Sequence, residues 1–427
     1  MSYAAFLERK RRTIPPAGLN IDPAAMHPSL FAFQRDLVAW AAGQGRAAIW
    51  ADTGMGKTRM QLEWAKAVGG RTIILAPLVV AQQTVREAEA IGMDLAYSTH
   101  PGETRQFTIT NYERAENFDA ADFDAVVLDE SSILKNYAGA TRTALIDQWA
   151  SVDYRLCCTA TPAPNDITEL ANHSEFLGVM PRNEMLAAFF VHDDDGWRVK
   201  GHAWDALFTW MAGWARAVRR PSDVGHPEED GLYDLPPLTY KQHVVPTIGA
   251  PDGQLFAVDL GGVGGRAAVR KQTLTDRVKL TAALVNDDDD EPWIVWCGLN
   301  DEAEALARLI PGSVNVQGSD NPESKTDALV GFVDGRVRVL ITKPSIAGFG
   351  MNFQHCARMA FTGLSDSYES YYQAVRRCWR FGQPRPVEVH IVVSELEQQI
   401  VANVERKSAD AERMTSRLVE AMNQENR

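Results

Sequence analysis

The sequence predicts an α/β protein built of two parallel-sheet lobes. Three observations carry this: continuous apolar runs of strand length, helical patterns between them, and a change of pattern mid-chain after which the alternation resumes. Strands that are apolar throughout, rather than at every second residue, indicate sheets covered on both faces. The chain has 427 residues, room for two or three domains of about 150 residues each. Hydrophobic residues make up 45% and charged residues 23%, which excludes wholesale disorder.

Residues 47–51 read as the first buried strand, followed by a Gly-rich turn and a helical pattern as far as Val68. Residues 72–76 are the second strand, closed by Pro77, and apolar runs at 107–109, 125–128 and 154–156 continue the sheet. From about Asn183 the pattern changes. Trp204, Leu207, Phe208, Met211, Trp214, Ala215 and Val218 stand at helical spacing, which predicts a helix over 202–218 stopped by Arg219-Arg220-Pro221. A Pro/Gly/acid-rich stretch leads to Pro236-Pro237. Strands then return at 293–296, 313–316, 338–341, 359–361 and 387–393, and 396–422 closes the chain as a helix or helix pair. The expected division is an N-terminal segment 1–25, a first lobe 26–182, a helical extension and linker 183–245, a second lobe 246–394 and a C-terminal helix 395–427.

With 43 Lys+Arg against 56 Asp+Glu, the formal charge is −13. That excludes a generally basic nucleic-acid coat but leaves room for a local basic track. Five cysteines with no CxxC pair fit poorly with a disulfide framework and point to a reducing cytoplasm. No run approaches the roughly 18 apolar residues of a membrane span. The N-terminal charges follow a short apolar run, the reverse of a secretory signal. The expectation is a cytoplasmic protein with no membrane partner.

The sharpest local signal is Asp52-Thr53-Gly54-Met55-Gly56-Lys57-Thr58, placed after a strand and before a helix. Such a loop aims backbone N–H groups and a helix N-terminus at a phosphate chain. Lys57 would reach the β/γ-phosphates of a nucleotide and Thr58 would hold Mg²⁺. The strict pattern has Gly where Ala51 stands. Downstream, Asp129-Glu130 ends a strand, where Asp129 suits a Mg²⁺ ligand and Glu130 a base for an attacking water. An isolated pair of this kind is usually a solvated turn; the phosphate loop upstream changes the balance. Arg377 and Arg380 are three apart and so share one face of a helix, from which guanidinium groups could stabilise charge developing on a γ-phosphate. Alone, such a pair would be read as a solvated basic face.

Taken in order, these residues resemble the motifs of superfamily-two helicase-like ATPases, and within them the Swi/Snf-type DNA translocases, including short phage-encoded members, which implies a bacterial or phage-infected host cytoplasm. Leu30 to Gln34 is similar to the adenine-recognising glutamine motif, with Gln34 in the key place. The loop ending Gly56-Lys57-Thr58 matches motif I, Ala76-Pro77-Leu78 motif Ia, and Thr110-Asn111-Tyr112 the next backbone-contacting motif. Asp129-Glu130 fits motif II, with Ser131-Ser132 in place of the family's small residue and His or Asp. Thr159-Ala160-Thr161-Pro162, with Asn165 beyond, resembles motif III, Ala347 to Asn352 motif V, and Gln373 to Gln383 motif VI.

The resemblance implies two RecA-like lobes with ATP and Mg²⁺ in the cleft between them. It places Gln34, Thr53, Gly54, Met55, Gly56, Lys57, Thr58, Gly350, Arg377 and Arg380 on the nucleotide, with Lys57, Asp129, Glu130 and both arginines carrying hydrolysis. Pro77, Asn111, Tyr112, Ser345, Gly348 and Asn352 would grip nucleic acid, mainly by its phosphates and therefore with little regard to sequence. The implied partner is DNA, duplex by the form of motif VI, served by a monomer to which another protein could supply specificity. Two alternatives stay open: an RNA helicase of the DEAD-box kind, and a catalytically weak ATP-gated nucleic-acid clamp. Trp204, Trp210 and Trp214 read as core, Asp287 to Asp290 as a solvated loop, and the Glu8-Arg9-Lys10 and Glu405-Arg406-Lys407 strings as chance fragments of a nuclease pattern. The nine histidines show no metal-ligand spacing.

Overall fold

A computed structural model describes residues 16–135, 139–194, 196–246, 272–347 and 352–425. The described residues up to Tyr233, together with those from Asp410 onward, form one compact unit; those from Asp234 to Ala409 form the other.

In the first unit, β1 (Arg46–Ala51), β2 (Thr72–Ala76), β3 (Leu95–Tyr97), β4 (Phe107–Asn111), β5 (Ala125–Asp129) and β6 (Tyr154–Cys158) belong to one sheet. β7 (Phe190–Asp193) and β8 (Gly196–Val199) pair antiparallel outside it, and β9 (Ala215–Val218) rejoins it. The order is β3-β4-β2-β5-β6-β1-β9, every pair parallel. Side chains alternate between two cores. Ala48, Trp50, Ile73, Leu75, Val126, Leu128 and Cys157 face one; Ala47, Ile49, Ile74, Val127, Leu156 and Cys158 face the other. The second core is covered by α1 (Ala32–Gln44), α2 (Lys57–Val68) and α3 (Leu78–Ala90). The first is covered by α4 (Ala140–Gln148), α5 (Leu170–Phe176), α6 (Arg182–Phe189) and α7 (Trp204–Ala212), joined by Met414, Leu418 and Met422. Burial on both faces is why these strands are apolar without interruption.

The second unit has a six-stranded parallel sheet of β10 (Leu238–Val245), β11 (Trp293–Cys297), β12 (Val314–Asn315), β13 (Val339–Thr342), β14 (Arg358–Thr362) and β15 (Val387–Ser394), in the order β10-β15-β14-β11-β13-β12. It is flanked by α8 (Leu274–Asn286), α9 (Asn300–Leu309), α10 (Pro322–Val333), α11 (Pro344–Ala347) and α12 (Tyr368–Val375), and α13 (Gln398–Glu425) closes the chain. α8 and α9 are tied by the wholly buried pair Arg277–Glu302 at 2.6 Å. The same carboxylate accepts the Gly298 and Leu299 N–H groups at 2.9 and 3.0 Å, so the buried charge is hydrogen-bonded on both oxygens. Asp288 belongs to the fabric rather than to solvent alone, since its carboxylate takes the Arg358 guanidinium at 3.2 Å.

The expected two α/β lobes are present, but the middle of the chain is organised differently. The helix expected over 202–218 ends at Ala212, and 215–218 is a strand. The reason is the open edge of β1, whose backbone groups need partners. Ala48 N–H donates to the Trp214 carbonyl at 2.9 Å and Asp52 N–H to the Val218 carbonyl at 2.8 Å. The spacing of Trp214 and Val218 suits a helix and a short buried strand equally. The first unit therefore runs on past residue 182 to Tyr233, and β10, expected in the linker, is an edge strand of the second sheet. Trp210 and Trp214 are buried and pack edge-on at 5.4 Å, with Trp50 against Trp214 at 5.5 Å, as core residues.

Candidate active site

Ligands of open parallel sheets gather at the carboxyl ends of the strands. β5, β6 and β1 are neighbours, so the loops after Asp129, Cys158 and Ala51 emerge side by side. After β1 the chain turns through Gly54 (φ +93°) and Gly56 (φ +83°), left-handed conformations that a Cβ would strain. Gly56 is also the N-cap of α2, and a Cβ there would stand 2.3 Å from Gln34 Nε2. Met55 is buried beneath the loop, and Thr53 N–H donates to the Asp52 carboxylate at 2.6 Å. Lys57 folds its ammonium back across the loop, donating to the Ala51 carbonyl at 2.9 Å and to that of Asp52 at 3.4 Å. Thr58 follows in the first turn of α2, whose leading N–H groups are the natural seat of an anion.

Gln34 is bound at both ends. Its Oε1 accepts from Phe31 N–H and its Nε2 donates to the Met55 carbonyl, each at 2.9 Å, so the glutamine fastens α1 to the glycine loop after β1. The segment after β9 docks on the same helix. Glu229 accepts the Ala32 and Phe33 N–H groups at 3.0 and 3.1 Å, Tyr233 packs edge-on against Phe31 and Phe33, and His226 meets Asp36 at 2.8 Å and Glu228 at 3.1 Å.

Asp129 is buried at the end of β5. Burial, then the Glu130 charge beside it, push its carboxyl up to about 7, against the pull of Lys57 and the Gln61 side chain. A crowded buried carboxylate of this kind gains from a divalent cation, so Asp129 with Thr58 fits Mg²⁺, and the loop glycines with Lys57 fit a nucleotide's phosphates. Glu130 is the one non-glycine described residue with positive φ, +55°, a conformation costing about 1 kcal/mol in an L-residue. Its surroundings hold it. Thr159, just beyond β6, donates to Glu130 Oε2 at 3.2 Å, and Thr161 N–H donates to Thr159 Oγ1 at 3.1 Å. The Tyr112 hydroxyl donates to the Asp129 carbonyl at 2.7 Å. On the other side Ser131 Oγ meets His173 Nε2 at 3.1 Å in the core, and Asn172 on the same helix donates to the Leu134 carbonyl at 2.7 Å. Burial lowers the His173 pKa to about 4, so the ring is neutral near pH 7.

In the second unit, α12 stops at Val375, and Arg377 and Arg380 lie in the turn after it rather than on a helix face. The hydrogen bonding tightens there: Arg377 and Cys378 N–H donate to the carbonyls of Ala374 and Val375, three residues back, at 3.2 Å. The turn is then pinned from outside, by Trp379 Nε1 on the Pro236 carbonyl at 2.7 Å and by Gln383 Nε2 on the carbonyls of Cys356 and Cys378 at 3.0 and 3.2 Å. Arg377 is buried, with Nε on the Gln373 carbonyl at 3.1 Å and Nη2 on Gln373 Oε1 at 2.8 Å. Arg380 donates to Asn352 Oδ1.

The residues expected to grip nucleic acid are placed unevenly. Pro77 caps α3 at a strand end, and Ser345 is exposed on α11. Asn111 is buried, its amide held between the Tyr97 hydroxyl at 2.9 Å and the Glu113 carboxylate at 2.5 Å. Tyr112 points its hydroxyl inward to Asp129, and Asn352 is engaged by Arg380. Gly348 and Gly350 lie outside the described residues. Thr159, His173 and Glu229 join the site unannounced as site residues. Thr159 stands within a motif already read, whereas a lone histidine and one acid of an acidic stretch give no signal in sequence.

Residues 276–382 match the family model described as the helicase conserved C-terminal domain, a span that includes Arg377 and Arg380. No curated protein matches the chain significantly. Among solved structures the chain is similar to the SWI2/SNF2 ATPase core of Sulfolobus solfataricus in complex with dsDNA, at 15% identity and a TM-score of 0.45, over 93% of this chain and 95% of that one.

Proposed function

We propose that this chain is a superfamily-two, Swi/Snf-type ATPase that hydrolyses ATP while moving on DNA, duplex in preference to single strands. The observation that carries the reading is the cluster at the ends of β1, β5 and β6: a glycine cradle with Lys57, the buried Asp129, and Glu130 hydrogen-bonded to Thr159. The helicase C-terminal match supports it in the second unit, because it covers the arginine turn. Lys57 would leave the carbonyls of Ala51 and Asp52 for the β/γ-phosphates, a short swing for a flexible ammonium. Glu130 would orient the attacking water and take its proton, with Thr159 fixing the carboxylate. Arg377 and Arg380 would offset the charge that develops on the transferred phosphoryl group. Mg²⁺, held by Thr58 and Asp129, would neutralise phosphate charge. The preference for duplex DNA rests on the resemblance of Gln373 to Gln383 to the Swi/Snf form of motif VI.

The test is ATP turnover without polymer and with single-stranded DNA, duplex DNA and RNA of matched length. Duplex DNA should stimulate most, with affinity falling steeply as salt rises and varying little with sequence. Lys57→Ala should lose nucleotide binding. Glu130→Gln should bind ATP normally and turn over about a hundredfold more slowly or worse. Stimulation by RNA alone would move the substrate to RNA, and a polymer-indifferent wild type would favour the clamp.

A further inference from the structure

We infer that Tyr112 and the Ser131–His173 pair are positioning residues for hydrolysis, which hold the Glu130 carboxylate in its working place by bracing the strained peptide on either side of it. The inference rests on the ATPase reading above and concerns groups that the motif pattern leaves without this role. Glu130 takes φ +55° at the step between strand β5 and the 3-10 turn Ser131–Lys135. A residue in that conformation persists where its neighbours over-determine it.

The neighbours do so here from three directions. Upstream, the Tyr112 hydroxyl donates to the carbonyl of Asp129 at 2.7 Å, fixing the plane of the peptide that enters Glu130. Downstream, Ser131 Oγ and His173 Nε2 meet at 3.1 Å, both side chains buried, so the residue leaving Glu130 is moored to α5. His173 is itself wedged against the ring of Trp50 on β1, with centroids 5.8 Å apart and planes at 79°. At the side-chain end, Thr159 holds the carboxylate. Where the family has a small residue and a His or Asp after the glutamate, this chain has Ser131 and Ser132, and the histidine that contacts motif II comes from α5, 42 residues beyond Ser131.

None of these groups needs to touch nucleotide. Their effect is on where Glu130 Oε1 and Oε2 stand, so it should fall on turnover and vanish when the carboxylate is gone. The variants are Tyr112→Phe, which removes one hydroxyl and keeps the ring, and Ser131→Ala, each made alone and in a Glu130→Gln background. Each folded single variant should lose about five- to tenfold in kcat, the worth of one hydrogen bond, with KM for ATP and the binding of a fluorescent ATP analogue within about twofold of wild type. In the Glu130→Gln background neither should cost anything further, measured by single-turnover hydrolysis. His173→Leu should behave as Ser131→Ala, and His173→Gln, which keeps a hydrogen-bonding side chain, should recover part of the loss. Wild-type kcat in both Tyr112→Phe and Ser131→Ala would overturn the inference, as would losses that add in full to that of Glu130→Gln. A wild type with no Lys57-dependent turnover is a separate result, which defeats the ATPase reading and this inference with it.

Discussion

At the residue scale, glycine and glutamate show two ways of using a left-handed backbone. Gly56 takes φ +83° without strain and leaves the space that Gln34 Nε2 fills. Gly56→Ala should therefore do two kinds of harm. The new Cβ costs about 1 kcal/mol through φ alone and must also push the glutamine off the Met55 carbonyl. The expected outcome is nucleotide affinity reduced by about tenfold or more in a protein that still folds, read by titration with a fluorescent nucleotide beside a thermal melt. Unchanged affinity would mean that the loop does not cradle phosphate. The glycine turn and the place of Lys57 after it were legible in sequence, because a tight turn between a strand and a helix tolerates few residue types. The strain at Glu130 was not, since φ at a non-glycine residue is set by its neighbours in space, and Tyr112 and His173 lie far from it along the chain. Asn111 shows the reverse: its motif suggested an outward grip, and its amide is spent on Tyr97 and Glu113.

At the element scale, short strands and turns depart from their sequence pattern where an unpaired edge or an outside anchor decides. β9 was read as helix because four residues cannot distinguish one period from the other, and the open edge of β1 settled the matter. Arg377 and Arg380 left the helix because the anchors at Pro236 and Cys356 favour a tight turn, and neither is near in sequence. The docking of residues 226–233 on α1 was likewise hidden in an acidic stretch. It carries a pH signature. Burial pulls the His226 pKa down, but the hydrogen bonds and charges of Asp36 and Glu228 outweigh it and the net direction is up. A raised histidine contributes stability that is fully present below about pH 6.5, the unfolded value, and is lost as pH rises through the folded value. Wild type should thus exceed His226→Gln by about 0.5 kcal/mol at pH 5.5, a modest figure because both carboxylates are largely exposed, with the gap closing by about pH 8. Urea unfolding at the two pH values measures it. A gap that widens with pH would show that the carboxylates are not the histidine's partners.

At the scale of the whole molecule, the groups proposed for hydrolysis belong to two compact units, with Lys57, Asp129 and Glu130 in one and Arg377 and Arg380 in the other. Affinity and turnover should therefore come apart. Arg380→Ala should bind ATP within a few-fold of wild type and lose about a thousandfold in kcat, as arginine fingers do, whereas normal kcat with weakened DNA binding would mark a basic contact surface. The two-lobe plan was legible because it is written in strand composition, which burial on both faces enforces. The boundary of the first unit was not, because its core is completed from the far end of the chain: Met414, Leu418 and Met422 pack with Trp50, Leu128 and Trp214, and Ala217 N–H donates to Met422 Sδ at 3.4 Å. That has a consequence for the order of synthesis. Domains generally fold as they leave the ribosome, the N-terminal one first. Here the strand that bears the loop of Gly54 and Gly56 is translated early, yet the core behind it is not complete until residue 422 has emerged, by which time the second unit's strands are already made. The nascent first unit must wait, its core incomplete, for its own last helix, and a ribosome that stalls between residues 394 and 410 would have made every strand of both sheets while the first core still lacked its closing residues.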